Sequence, residues 1–101
     1  MTQIAVVFVS YLKVPEQRLQ DHFRWNRHIY ESYNSLRVYV VSDVEHALPS
    51  YAKTIVYPVE KLPVVDGQPR FSLTKTKNAG CDAALADCAE VIICTDVDIC
   101  F

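Results

Sequence analysis

"IAVVFVSY", residues Ile4 to Tyr11, is a near-unbroken apolar run rich in β-branched side chains that ends on a hydroxyl and a phenol. A strand with one solvated face alternates apolar and polar residues. A run without that alternation is the pattern of a strand buried on both faces. Such a strand needs partners on every side, and the rest of the chain offers them. Pro15 suits the first turn of a helix. From Glu16 to about Tyr33, Leu19, Phe23, Tyr30 and Tyr33 recur at helical spacing, with Arg18, Asp21, Arg24 and Arg27 among the polar positions. "LRVYVVSD" (Leu36 to Asp43) reads as a second buried strand. A short turn or helix around Glu45 to Tyr51 leads to "KTIVYP", a third strand stopped by Pro58.

The stretch from Val59 to about Leu73, containing Pro63, Gly67 and Pro69, reads as a long irregular loop of functional or mobile character. "TKTKNAGCDAALADCAE" (Thr74 to Glu90) reads as the last helix, with Cys81, Ala84, Leu85 and Cys88 forming a small-residue face. "VIICTDVD" (Val91 to Asp98) follows as a fourth buried strand. Alternating strands and helices produce a parallel sheet with helices on its faces. The expected fold is therefore α/β and Rossmann-like, with a mostly parallel four-stranded sheet flanked by helices, and residues 1–101 form a single domain.

Composition narrows the partners. Half of the 101 residues are hydrophobic, 22% are charged and the net charge is −2, which is globular and carries no electrostatic preference for nucleic acid or anionic membrane. The apolar run from Ile4 to Val9 is too short for a membrane span and has no basic lead-in. Cys81, Cys88, Cys94 and Cys100 lie six or seven residues apart, with neither zinc spacing nor a disulfide framework. They read as small buried apolar residues in a reducing, cytoplasmic compartment. His22, His28 and His46 share no spacing with one another or with acidic partners and read as surface or half-buried positions. Trp25, Phe23, Tyr30 and Tyr33 read as core packing. There is no Gly-x-Gly-x-x-Gly, no Walker loop, and no Gly-x-Ser-x-Gly frame around Ser10.

In parallel sheets, ligands bind beyond the carboxyl ends of the strands, where strand order reverses. Ser10 and Tyr11, Asp43, and Asp96 with Asp98 all fall at such ends. In an extended segment residues two apart share a side, so Asp96 and Asp98 are expected to converge while Val97 turns into the core. Paired carboxylates repel unless a cation or proton lies between them, and hard divalent ions prefer oxygen ligands. The expected cofactor is Mn²⁺ or Mg²⁺ held by Asp96 and Asp98, where it would neutralise charge on a departing diphosphate.

The segment from Thr74 onward resembles the one that closes the nucleotide-binding half of family-2-like glycosyltransferases of the GT-A fold. Lys77, Asn78, Ala79 and Gly80, a small-residue helix, Glu90, the apolar strand Val91 to Cys94, and Asp96 with Asp98 follow that family's order. Strand one ending in Ser10-Tyr11 resembles its entry to the nucleotide pocket, and Asp43 falls where such enzymes place an Asp against the base. The chain departs from the family after strand two, where "SDVEHA" replaces an acidic pair followed by Gly-Ser. The resemblance implies a nucleotide-sugar donor, most often a UDP-sugar. Ser10, Tyr11 and Asp43 would line the nucleobase and ribose pocket. Lys77 and Asn78 would border the nucleotide, with Asn78 also able to cap the helix. Asp96 would face the ribose or a metal-bound water, and Asp98 would be the principal metal ligand.

The same resemblance implies an acceptor-binding half beyond Asp98. The expectation is thus a donor-binding domain incomplete at its C-terminus, completed by a longer chain, a partner or a homo-oligomer. Two other classes stay open. One is a non-catalytic nucleotide-binding or assembly module. The other is a phosphotransferase of the haloacid-dehalogenase type, whose apolar-strand-then-Asp-x-Asp motif "VIICTDVDIC" also resembles.

Overall fold

In the computed structural model, which describes residues 2–11 and 14–101, the first apolar run becomes strand β1 (Ile4–Val9) at the interior of a four-stranded, all-parallel sheet. Helix α1 (Glu16–Tyr30) leads to β2 (Leu36–Ser42), and a helix-free connection over residues 43–51 leads to β3 (Ala52–Val56). A single 3₁₀ turn (Val59–Lys61) and a two-stranded hairpin, β4 (Val64–Val65) with β5 (Gln68–Pro69), precede α2 (Leu73–Ala86) and β6 (Val91–Cys94). The strand order is β3-β2-β1-β6. Ile4 pairs with Leu36 on one side of β1 and with Val91 on the other. The chain moves outward through β2 and β3 and then returns to the opposite flank of β1, so strand order reverses between β1 and β6.

Alternation along β1 divides the interior into two cores. Val6 and Phe8 join Leu19, Phe23, Tyr30, Leu36, Val38, Val40 and Val97 on the α1 face. Ala5 and Val7 join Tyr39, Val41 and Ala84 on the α2 face. This two-sided burial explains why β1 and β2 read as continuous apolar runs. The same run in β6 has a different meaning. β6 is an edge strand, with Val91, Ile93 and Cys94 exposed, and not the buried strand expected. An edge strand has a neighbour on one side only, and hydrophobic periodicity does not distinguish it from a central one.

Helix α2 approaches the sheet through Thr76, Gly80 and Ala84, one residue per turn; of the expected face Cys81, Ala84, Leu85 and Cys88, Ala84 is buried and Cys81 packs against the core, whereas Leu85 and Cys88 are exposed. Leu85 is 59% exposed. The close approach depends on Gly80: a Cβ there would lie 2.5 Å from Val7 Cγ1 and 2.7 Å from Val41 Cγ2. The helix begins at Leu73, capped by Ser72, whose hydroxyl accepts from the Lys75 N–H at 3.2 Å. Asn78 sits in the helix interior and is not the cap. The helix closes on Cys88 at φ 67°, with the Ala89 N–H donating to Ala84 O and the Cys88 N–H to Leu85 O, each at 3.0 Å. That is a Schellman ending, with a cysteine where glycine is usual.

The loop expected from Val59 to Leu73 is more ordered than its composition suggested. Asp66 (φ 53°) and Gly67 (φ 74°) form the left-handed pair of a hairpin turn, for which Asp-Gly is a strong signal. Phe23 and Tyr30 are core residues as expected, whereas Trp25 and Tyr33 are exposed. Among the described residues, no helix is long and apolar enough to cross a membrane.

Gly80→Ala sets helix propensity, worth about 1 kcal/mol in alanine's favour, against overpacking of two buried valines. The clash should win. Urea denaturation of the variant is expected to show a net loss of about 1–3 kcal/mol, while Ala79→Gly on the same helix should cost no more than about 1 kcal/mol.

Candidate functional site

The carboxyl ends of β1 and β6 meet at a cleft of about 500 Å³ lined by Val9, Tyr11, Val14, Phe71, Leu73, Asp96 and Val97. Tyr11 is anchored: its hydroxyl donates to Tyr57 O at 2.6 Å, and its ring lies 5.4 Å from that of Phe71, centroid to centroid. Burial pushes its phenol above the ordinary value, and the carboxylates of Asp43 and Glu60 add to the effect. The group therefore stays a neutral donor, and Asp43 lies within its electrostatic reach. Phe71 was not legible as a site residue. It arrives from the segment between β5 and α2, just ahead of the motif-bearing stretch that starts at Thr74.

Asp96 sits on the cleft wall with Lys77 Nζ 3.6 Å from its Oδ1. The carboxylate is 66% exposed, so this pair is worth about 0–1 kcal/mol at most and is readily exchanged for contacts to an anionic ligand. Asp98 faces elsewhere. It borders a separate hollow with Pro15, Gln17, Arg18, Asp21 and Trp25, over the first turns of α1. The expected convergence of the two carboxylates presumed an extended backbone. The strand instead stops at Cys94, and a β-turn closed by the Ile99 N–H donating to Asp96 O at 3.1 Å carries residues 96–99. Val97, at the centre of that turn, points into the α1-face core as expected.

What holds this turn comes from α1, and sequence reasoning missed it. His22 and Asn26 are both fully buried. His22 Nδ1 lies 2.8 Å from Val97 O and must donate to that carbonyl, while Nε2, 2.7 Å from the Tyr30 hydroxyl, accepts its proton. Asn26 Nδ2 donates to Ile99 O at 2.9 Å and to His22 O at 3.0 Å, and its Oδ1 accepts from the Phe101 N–H at 2.6 Å. One helix face thus grips three backbone groups that lie between residues 97 and 101. Helical spacing was the available signal, since His22 and Asn26 share a face with Leu19, Phe23 and Tyr30. His46, also read as lacking an acidic partner, lies with Nδ1 2.8 Å from Glu16 Oε2 and Nε2 2.9 Å from Ser42 Oγ, pinning the 43–51 connection to α1 and β2.

Of the residues singled out from sequence, Tyr11 and Asp96 line the cleft, and Lys77 reaches it through Asp96. Ser10 is buried just beneath, its N–H donating to Val41 O at 2.9 Å. Asp43 accepts from Ser42 Oγ at 3.3 Å beside the cleft, and Asn78 lies exposed on α2 outside its lining. No group of three or more His, Cys, Asp or Glu side chains with metal-binding geometry occurs among the described residues. Asp96 and Asp98 border separate hollows and so do not form a converged oxygen-donor pair, although each is a hard oxygen donor of the kind that divalent ions take together with water and phosphate oxygens. Comparison with protein-family models, curated proteins and solved structures finds no match to this chain.

Burial holds the His22 imidazole below its ordinary pKa, opposed only in part by the bond to Val97 O. The folded state therefore keeps the ring neutral at pH values where the unfolded chain protonates it. The His22 contribution is intact above about pH 6.5 and is lost as pH falls below that value toward the folded-state pKa, at up to about 1.4 kcal/mol per pH unit. Denaturant titrations between pH 7.5 and 5 should show this loss. His22→Gln, less stable at neutral pH, should show a shallower slope over the same interval.

Proposed function

We propose that this chain binds the donor of a glycosyl transfer, a nucleoside-diphosphate sugar, with UDP as the leading nucleotide. The observation that carries the reading is the cleft at the β1–β6 reversal, where two aromatic rings stand beside a solvent-facing carboxylate and a lysine. An aromatic pair offers a face to a nucleobase, and the reversal of strand order is where parallel sheets bind nucleotides. The half-exposed Phe71 and the largely buried Tyr11 would border the base, with Asp43 within electrostatic reach of Tyr11 and Ser10 adjacent to it in sequence. Lys77 would leave Asp96 for a phosphate. Asp96, from the cleft wall, and Asp98, once turned out of its own hollow, would hold Mn²⁺ or Mg²⁺ with the diphosphate, a cation that supplies charge neutralisation to the leaving nucleotide when bound. The acceptor side, and with it the transfer itself, would come from further chain, a partner or a second copy, in a reducing cytoplasmic setting.

The separate hollows occupied by Asp96 and Asp98 favour a second reading, a module that binds the nucleotide without a metal and without turnover. A thermal-shift titration separates the two. Ligand at a hundredfold excess over Kd stabilises the folded state by about 2.7 kcal/mol, a shift of about 11–20 °C for a domain of this size. The donor-site reading expects a shift that needs both UDP and Mn²⁺, disappears in Asp98→Ala and shrinks in Phe71→Ala. A shift with UDP alone, indifferent to Asp98→Ala, would replace it with the module reading. No shift in the folded protein would remove both.

A further inference from the structure

Cys81 and Cys94 lie thirteen residues apart in sequence, yet their sulfurs are 3.7 Å apart, which is van der Waals contact. The elements dictate this meeting. Ile92 faces the α2 core, so Cys94, two residues on, emerges on the same face of β6. Cys81 packs against that core from the helix side. The other two cysteines are placed differently. Cys88 lies on the exposed turn after α2, and the Cys100 sulfur contacts Trp25 O of α1 on the opposite face. All four cysteines are free. The expectation that they are buried apolar residues fails: Cys81 is half-buried and the other three are exposed.

The geometry points to Cys81 and Cys94 as a reversible dithiol–disulfide pair that joins α2 to the edge strand β6. Closure needs a side-chain rotation at two contacting sulfurs, with an oxidant that is a low-molecular-weight disulfide such as oxidised glutathione. The exposed Cys94 thiolate attacks one sulfur of that disulfide and expels the other as a thiol. Cys81, whose thiol is pushed up by burial and by its contact with Cys94, then loses its proton and attacks the Cys94 sulfur, expelling the second thiol. Two protein thiols are oxidised to one disulfide and one small disulfide is reduced to two thiols. The bond would sit one helical turn beyond Lys77 and two residues before Asp96, on an edge strand that hydrogen-bonds to a sheet neighbour on one side only.

The test uses the full chain carrying Cys88→Ser and Cys100→Ser, so that only the two thiols in question remain. After treatment with excess oxidised glutathione, intact mass under non-reducing conditions should show a loss of about 2 Da with no glutathione adduct. The titratable thiols should fall from two to none, and dithiothreitol should restore both. The oxidised form should also melt about 5 °C or more above the reduced one. Adding Cys94→Ser, at an exposed position, should abolish closure. Persistent glutathione adducts, disulfide-linked dimers, or a lowered melting midpoint in the closed form would each overturn the proposal.

Discussion

Strand β1 has a hydrogen-bonded neighbour on each side and a helix on each face, and nearly every other feature follows from accommodating it. Val7 is the tightest point. It packs beneath α2, and the absence of a side chain at Gly80 is what lets that helix come down onto it. Phe8, on the other face, meets the His22 ring at 4.2 Å between centroids and the Phe23 ring at 6.1 Å. Because both flanks of β1 are taken, the chain has to leave toward β2 and come back on the β6 side. That return opens the crevice in which Tyr11 and Asp96 face each other across the ends of adjacent strands. The cleft is therefore a result of where the central strand sits, and its location does not depend on the identity of any one lining residue.

The turn that carries the carboxylates combines two kinds of bonding of unequal strength. Beneath it, His22 and Asn26 hold backbone groups in a dry environment, where leaving one polar partner unsatisfied costs about 1–3 kcal/mol. Above it, Lys77 and Asp96 form a solvated pair worth about 0–1 kcal/mol. The difference lets the backbone stay fixed while the charged groups change partners. Burying an imidazole costs desolvation free energy, and the cost is met by satisfying both ring nitrogens at once, one by a carbonyl and the other by a phenol. Among the described residues, no buried side-chain nitrogen or oxygen lacks a hydrogen-bond partner.

The layered α/β architecture was legible because continuous apolar runs and helical spacing are both strong patterns, and β1, β2 and α1 stand close to where those patterns put them. What escaped was information that periodicity does not hold. The apolar run Val91 to Cys94 is as hydrophobic as β1 yet lies at an edge, since neighbour number is a property of the sheet and not of the strand. On α2 the buried stripe follows Thr76, Gly80 and Ala84, residues chosen by steric closeness to Val7 and Val41 and not by hydrophobicity. His22 and Asn26 were passed over for the complementary reason: a polar residue is a poor core residue until its partners are known, and the turn groups these two hold lie more than seventy positions away. At the site, Tyr11 and Asp96 could be found at strand ends, whereas Phe71 is delivered by a connection whose path only the folded chain determines. The Asp66-Gly67 hairpin was legible and overlooked.

The grip of α1 on the turn also sets an order of events in time. His22 and the carbonyl it binds are separated by 75 residues. At synthesis rates of about 5–20 residues per second, about 4–15 s pass between the appearance of the ring and that of its acceptor. Throughout that interval α1 can form, but its His22 and Asn26 face has no partner, and β1 has no neighbour on its β6 flank. The nascent chain must therefore carry an open central strand with β-branched, aggregation-prone surface until residues 91–101 emerge. The low net charge does little to keep such chains apart, so the protein's exposure to misassembly is concentrated in the seconds before Val97 reaches its histidine.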